Sequence, residues 1–185
     1  MALSLENLRA LVVDDSDFSA QLIKSLLGAI GVEAVVTCRS VEDGLTVFRS
    51  RPDRIDVAII DWVMPDKGGI EMLRAVRAAD SPNRKLPVIM ISGEPLKERV
   101  EDARRAGAHD FLVKPLSTRR LENAIRHAVS DPRPFIISEA YVGPDRRWHN
   151  DDPPGSDRRA RNCLDEVDGS PSVAGAPAGK SQALG

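Results

Sequence analysis

The sequence predicts an α/β fold, a doubly wound open sheet of five parallel strands covered by five helices, over residues 8–130. Two observations predict it. Short, β-branched apolar runs alternate with amphipathic stretches of helical spacing, as strands joined by crossover helices do. The composition then changes sharply at Asp131-Pro132-Arg133-Pro134, after which Pro, Gly, Asp and Arg dominate. Residues 1–7 are a lead-in, and 131–185 lack the apolar periodicity of a second core and are expected to be mostly disordered.

The first strand is read at 10–13, an apolar run that ends in Asp14-Asp15 and suits burial on both faces. A helix follows, with Asp17 as its expected N-cap and Leu22, Ile23, Leu26, Leu27 and Ile30 as its apolar stripe, stopped by Gly31. Residues 32–37 read as the second strand, and 41–49 as a helix capped by Ser40 and ended before Pro52. The third strand, 55–60, runs into Asp61-Trp62-Val63-Met64-Pro65, where Pro65 and Gly68-Gly69 enforce a loop before a helix over 70–79. A fourth strand at 87–91, a helix over 96–106 closed by Gly107, a fifth strand at 110–113 and a helix over 117–129 complete the pattern.

Bulk composition narrows the function classes. With 42% apolar and 29% charged residues the chain reads as a soluble globular protein, and no stretch nears the ~20 apolar residues of a membrane span. The start, Met1-Ala2-Leu3-Ser4-Leu5-Glu6, has neither the basic residues nor the apolar core of a secretory signal, so a cytoplasmic location is expected. Cys38 and Cys163 lie too far apart to suggest a disulfide framework or a metal knuckle. The net charge of −2, with nineteen acidic and nineteen basic residues before position 131, points to no nucleic-acid partner.

In a doubly wound sheet, ligands bind beyond the carboxyl ends of the strands. There the sequence sets Asp14 and Asp15, Asp61, Ser92 and Lys114. Singly, each has an ordinary reading as a cap or a solvated loop residue. Together they form an acidic trio with one hydroxyl and one ammonium, and crowded carboxylates need a cation to stay ionised. Mg²⁺, a hard ion that bridges carboxylates to phosphoryl oxygens, suits them. A carboxylate beside it can attack phosphorus and form an acyl phosphate.

Four motifs carry a resemblance: Val12-Val13-Asp14-Asp15, Asp61-Trp62-Val63-Met64-Pro65, Val88-Ile89-Met90-Ile91-Ser92-Gly93 and Phe111-Leu112-Val113-Lys114-Pro115 resemble the response-regulator receiver family of two-component signalling. The resemblance implies a flavodoxin-like sheet of order 2-1-3-4-5. It also implies that Asp61 is the phosphoacceptor and that Asp14, Asp15, Asp61 and the Val63 backbone carbonyl hold Mg²⁺. Lys114 then pairs with the phosphoryl group, and Ser92 and Phe111 are the switch pair, Phe111 turning inward on activation. Lys114-Pro115 is expected to be cis. Val63 and Glu94 stand where the family tunes phosphoryl lifetime, and Gly93 leaves the approach to Asp61 open.

The expected function is that of a stand-alone response regulator of a phosphorelay. It takes phosphoryl from a histidine kinase or a phosphotransfer protein, then binds a downstream protein or a second copy of itself. A phosphate sink is one alternative. An Asp-nucleophile phosphohydrolase is another, but it wants a second Asp where Val63 stands. Beyond residue 130, Gly143-Pro144-Asp145-Arg146-Arg147-Trp148 and Gly155-Ser156-Asp157-Arg158-Arg159-Ala160 form an imperfect repeat. It reads either as a solvated linker or as a short motif, with Asp145, Arg146, Arg147 and Trp148 at its heart. Such a motif docks a partner or packs back through Phe135, Tyr141 and Trp148.

Overall fold

The computed structural model describes residues 4–94 and 96–146. In chain order the elements are β1 (Arg9–Val13), α1 (Asp17–Ala29), β2 (Ala34–Cys38), α2 (Val41–Ser50), β3 (Val57–Asp61), α3 (Gly69–Arg77), β4 (Val88–Ser92), α4 (Lys97–Ala106), β5 (Asp110–Val113), α5 (Thr118–Val129), β6 (Phe135–Ile137) and β7 (Val142–Pro144). The first five strands form one parallel sheet of order β2-β1-β3-β4-β5. Fold class and strand order therefore follow the sequence expectation.

Strand side chains alternate between faces, so one strand feeds two cores. Leu11, Val13, Ala58, Ile60, Val88 and Met90 face the helices α2, α3 and α4, meeting Phe48, Met72, Leu73, Val76 and Val100. Val12, Val57, Ile59, Ile89, Ile91 and Leu112 face α1 and α5, meeting Ile23, Leu27, Leu121 and Ile125. Burying each such side chain contributes about 1.5–3 kcal/mol. Among the described residues, no helix is long and apolar enough to cross a membrane.

Local chemistry refines the expected boundaries. The N-cap of α1 is Ser16, whose hydroxyl accepts from the Ser19 N–H, rather than Asp17, which opens the helix and favours its positive end. Ser40 and Ser117 cap α2 and α5 through their side chains. Leu22 does not join the core; it is 41% exposed, as the true stripe passes through Ala20, Ile23 and Leu27.

The expectation of a mostly disordered segment from 131 onward is corrected for 131–146. There β6 and β7 pair as an antiparallel hairpin that packs beneath the starts of β4 and β5. Its seat is an unusual one, made by the buried Arg77 guanidinium. That group donates to the carbonyls of Gly107 (2.9 Å), Leu86 (2.9 Å) and Arg84 (2.8 Å) and lies 5.3 Å from the centre of the Phe135 ring. Burial draws the Arg77 guanidinium down to about 9. Phe135 also stacks on His109, which burial and the Arg77 charge push down to about 3, so its ring is neutral and its Nδ1 accepts the Val88 N–H at 3.1 Å. The closest approach is at the end of α4. Gly107 adopts φ +93°, and a Cβ there would lie 2.1 Å from the Val142 carbonyl oxygen.

Candidate functional site

Backbone pairing brings four chemistry-bearing residues to one end of the sheet. Asp61 and Ser92 are the last residues of β3 and β4. Asp14 follows β1, its N–H donating to the Cys38 carbonyl at 3.1 Å, and Lys114 follows β5, its N–H donating to the Ser92 carbonyl at 2.8 Å. Gly69 starts α3 directly against this rim. A Cβ there would meet the Asp61 carbonyl oxygen at 1.9 Å, so any larger residue would push helix and strand end apart.

The Lys114 ammonium joins the two buried carboxylates. Its Nζ lies 2.6 Å from Asp61 Oδ1 and 2.8 Å from Asp14 Oδ2. Asp61 Oδ2 accepts the Val63 N–H at 3.0 Å, while Asp14 accepts from the Ser16 N–H at 3.0 Å and from the Ser19 hydroxyl. Burial raises the Asp61 carboxyl above its ordinary value even though Lys114 opposes the shift. For Lys114, burial works to lower the ammonium, but its hydrogen bonds to Asp14 and Asp61 win and hold it above its usual range. The site thus keeps a fixed positive charge against a nucleophile that is poorly solvated.

The expected acidic trio is only partly assembled. Among the described residues, no three His, Cys, Asp or Glu side chains are grouped to hold one ion. Asp14 and Asp61 converge, and the point between them is filled by an ammonium; Asp15 stands half-buried outside that pair. Mg²⁺ keeps most of its waters and needs only one or two carboxylates, so this donor set fits it once the ammonium gives way. Val63 contributes its N–H to Asp61 here, and its side chain is 53% exposed beside the site.

Ser92 is fully buried, and its hydroxyl is turned to its own loop. It donates to the Glu94 carbonyl at 3.2 Å and accepts from the Glu94 N–H at 3.1 Å and from Arg99 Nη1 at 3.3 Å. Arg99 escaped the sequence reading; only its place in the first turn of the helix after Ser92 could have pointed to it. Phe111 is buried and meets Trp62 edge to face, with centroids 6.0 Å apart, so the indole is half-buried at the rim. The Lys114–Pro115 bond is cis.

The first of the two repeated tail motifs is divided. Gly143 and Pro144 belong to β7, the Asp145 N–H donates to the Pro134 carbonyl at 2.8 Å, and the Arg146 guanidinium lies 4.0 Å from the Tyr141 ring centre. These residues anchor the hairpin, with Phe135 and Tyr141 packing back as one of the two readings expected. Arg147, Trp148 and the second motif lie outside the described residues.

Comparison with known proteins agrees with this geometry. A family model described as the response regulator receiver domain matches residues 10–126. The chain belongs to that family. The receiver is 31% identical over 121 residues to the chemotaxis protein CheY-3 of Vibrio cholerae, covering 65% of this chain and 90% of that protein. It is 33% identical over 119 residues to the chemotaxis protein CheY of Pseudomonas aeruginosa, covering 64% and 93%. Among solved structures, a receiver domain protein from Clostridium thermocellum matches with a TM-score of 0.60 and 33% identity, over 66% of this chain and 94% of that one. A CheY from Borrelia burgdorferi, solved as a complex with CheX, BeF3 and Mg²⁺, matches the receiver with a TM-score of 0.58 and 27% identity, over 64% and 86%.

Proposed function

We propose that this receiver is a response regulator that takes up a phosphoryl group on Asp61 and signals by phosphorylation-dependent protein binding. The observation that carries the reading is the buried Asp61 carboxylate held 2.6 Å from the Lys114 ammonium at the end of a parallel sheet. An Asp61 oxygen attacks phosphorus, and the bond from phosphorus to the donor's imidazole nitrogen breaks with its electron pair left on that nitrogen. The product is an aspartyl phosphate. Asp14 and Asp61, with Asp15 and the Val63 carbonyl alongside, would hold Mg²⁺, which would supply charge neutralisation for the phosphoryl oxygens. Lys114 exchanges its bond to Asp61 for one to the phosphoryl group, so positive charge stays in place as negative charge is added.

The donor class is a histidine kinase or a phosphotransfer protein, and the setting is the cytoplasm. The output is a downstream protein target or phosphorylation-dependent self-association. The chain acts only on its own phosphoaspartate: Val63 offers an alkyl side chain where hydrolysis of external esters would require a second acid.

Intact mass and tryptophan fluorescence test the reading, with Mg²⁺ and acetyl phosphate or beryllofluoride. Trp148→Phe isolates Trp62, which touches Phe111 at the rim. A gain of one phosphoryl mass and a fluorescence change are expected, and Asp61→Ala loses both. A response that survives Asp61→Ala would place the acceptor elsewhere.

A further inference from the structure

A serine hydroxyl has one proton to donate and two lone pairs to accept with, and Ser92 has spent all three. Its donor bond goes to the Glu94 carbonyl; its acceptor positions take the Glu94 N–H and Arg99 Nη1. To bond a phosphoryl oxygen on Asp61 it must give up that arrangement. Arg99 does more than share in it. Its second nitrogen, Nη2, pairs with Glu94 Oε2 at 2.7 Å, so one guanidinium clasps both the buried hydroxyl and the exposed acid two residues on. Arg99 itself is fixed in the first turn of α4, its side chain only 22% exposed. A charged donor on a buried acceptor is the stronger kind of hydrogen bond, and its loss on rotation is not made good by water.

We infer that Arg99 is a positioning residue that holds the Ser92 hydroxyl in the unphosphorylated arrangement and so sets how readily the receiver switches. The inference rests on Asp61 as the phosphoacceptor and names what opposes the activated state. The fork ties the loop after β4 to the first turn of α4. Apparent affinity for a phosphoryl mimic scales with the fraction of molecules whose hydroxyl is already free to turn.

The test is a beryllofluoride titration in Mg²⁺, read by Trp62 fluorescence on the Trp148→Phe chain. Arg99→Met removes the donors and keeps the stem. It is expected to tighten the apparent Kd by roughly 3- to 10-fold, the weight of one long charged hydrogen bond. On a Ser92→Ala background the same change should have no effect, and Arg99→Lys should fall between, since an ammonium cannot span both partners. Weaker binding by Arg99→Met would mean that Arg99 contacts the phosphoryl group, and would overturn the proposal. So would an unchanged Kd, or equal tightening with and without Ser92. A wild-type chain blind to beryllofluoride would sink the receiver chemistry and this inference together, whereas a wild-type response that Arg99→Met leaves alone sinks the inference only.

Discussion

At the level of single residues, the site is governed by one competition, between the dry surroundings of Asp61 and the charge of Lys114. Burial prevails, so the folded chain binds the Asp61 proton more tightly than the unfolded chain does. The contribution of this carboxyl to stability is therefore present below its unfolded value and lost as pH rises through the raised folded value. At neutral pH the ionised nucleophile costs stability. Asp61→Asn should raise the melting temperature at pH 7, with the gain shrinking toward pH 4; a lower melting temperature would show that the pairing with Lys114 outweighs burial. Titrated without Mg²⁺, the Asp61 carboxyl should show a midpoint above the ordinary carboxylate value of about 3.9, as followed by carboxyl NMR, and addition of Mg²⁺ should move that midpoint down. Asp14, Asp61, Ser92 and Lys114 were legible because each ends or follows an apolar run. Arg99 and Arg77 were not, since an arginine in an amphipathic helix reads as solvated, and only tertiary contacts show one clasping a hydroxyl and the other filling a floor of carbonyls.

Among the elements, the hairpin departs furthest from expectation. Its strands are three residues each, the apolar Phe135-Ile136-Ile137 and Val142-Gly143-Pro144, runs too short and too rich in flanking Pro and Gly to mark an ordered element by themselves. What orders them is a surface prepared elsewhere, from Arg77 at the end of α3, Gly107 at the end of α4 and His109 before β5. Gly107 serves twice, as the left-handed cap of α4 and as the gap that admits Val142. Alanine at this backbone geometry costs about 1–2 kcal/mol by itself, and the Val142 carbonyl adds a clash. Gly107→Ala should thus cost more than about 2 kcal/mol in the full chain but only about 1–2 kcal/mol in a chain ended at residue 130, as measured by urea unfolding. Equal losses in both would mean that the hairpin does not press on that glycine. Helix boundaries, by contrast, were readable to within a residue or two, because Ser40, Gly107 and Ser117 act as caps through chemistry that needs no distant partner.

For the molecule as a whole, the five-stranded order follows from the alternation of runs, since both faces of each central strand had to be covered. A mimic bound only by the folded state stabilises it by about 2.7 kcal/mol at a hundredfold excess over its Kd. Beryllofluoride with Mg²⁺ should therefore raise the melting temperature by about 5–10 °C, Mg²⁺ alone by less, and beryllofluoride alone not at all. The shift should vanish in Asp61→Ala; one that persists would indicate binding away from the rim. The hairpin lies where β5 begins and Lys114 where it ends, so the strand separates them by its full length. Cargo spliced in after residue 146, such as a fluorescent protein or a surface anchor, would hang from the floor of the molecule and leave its doorway to phosphate donors clear.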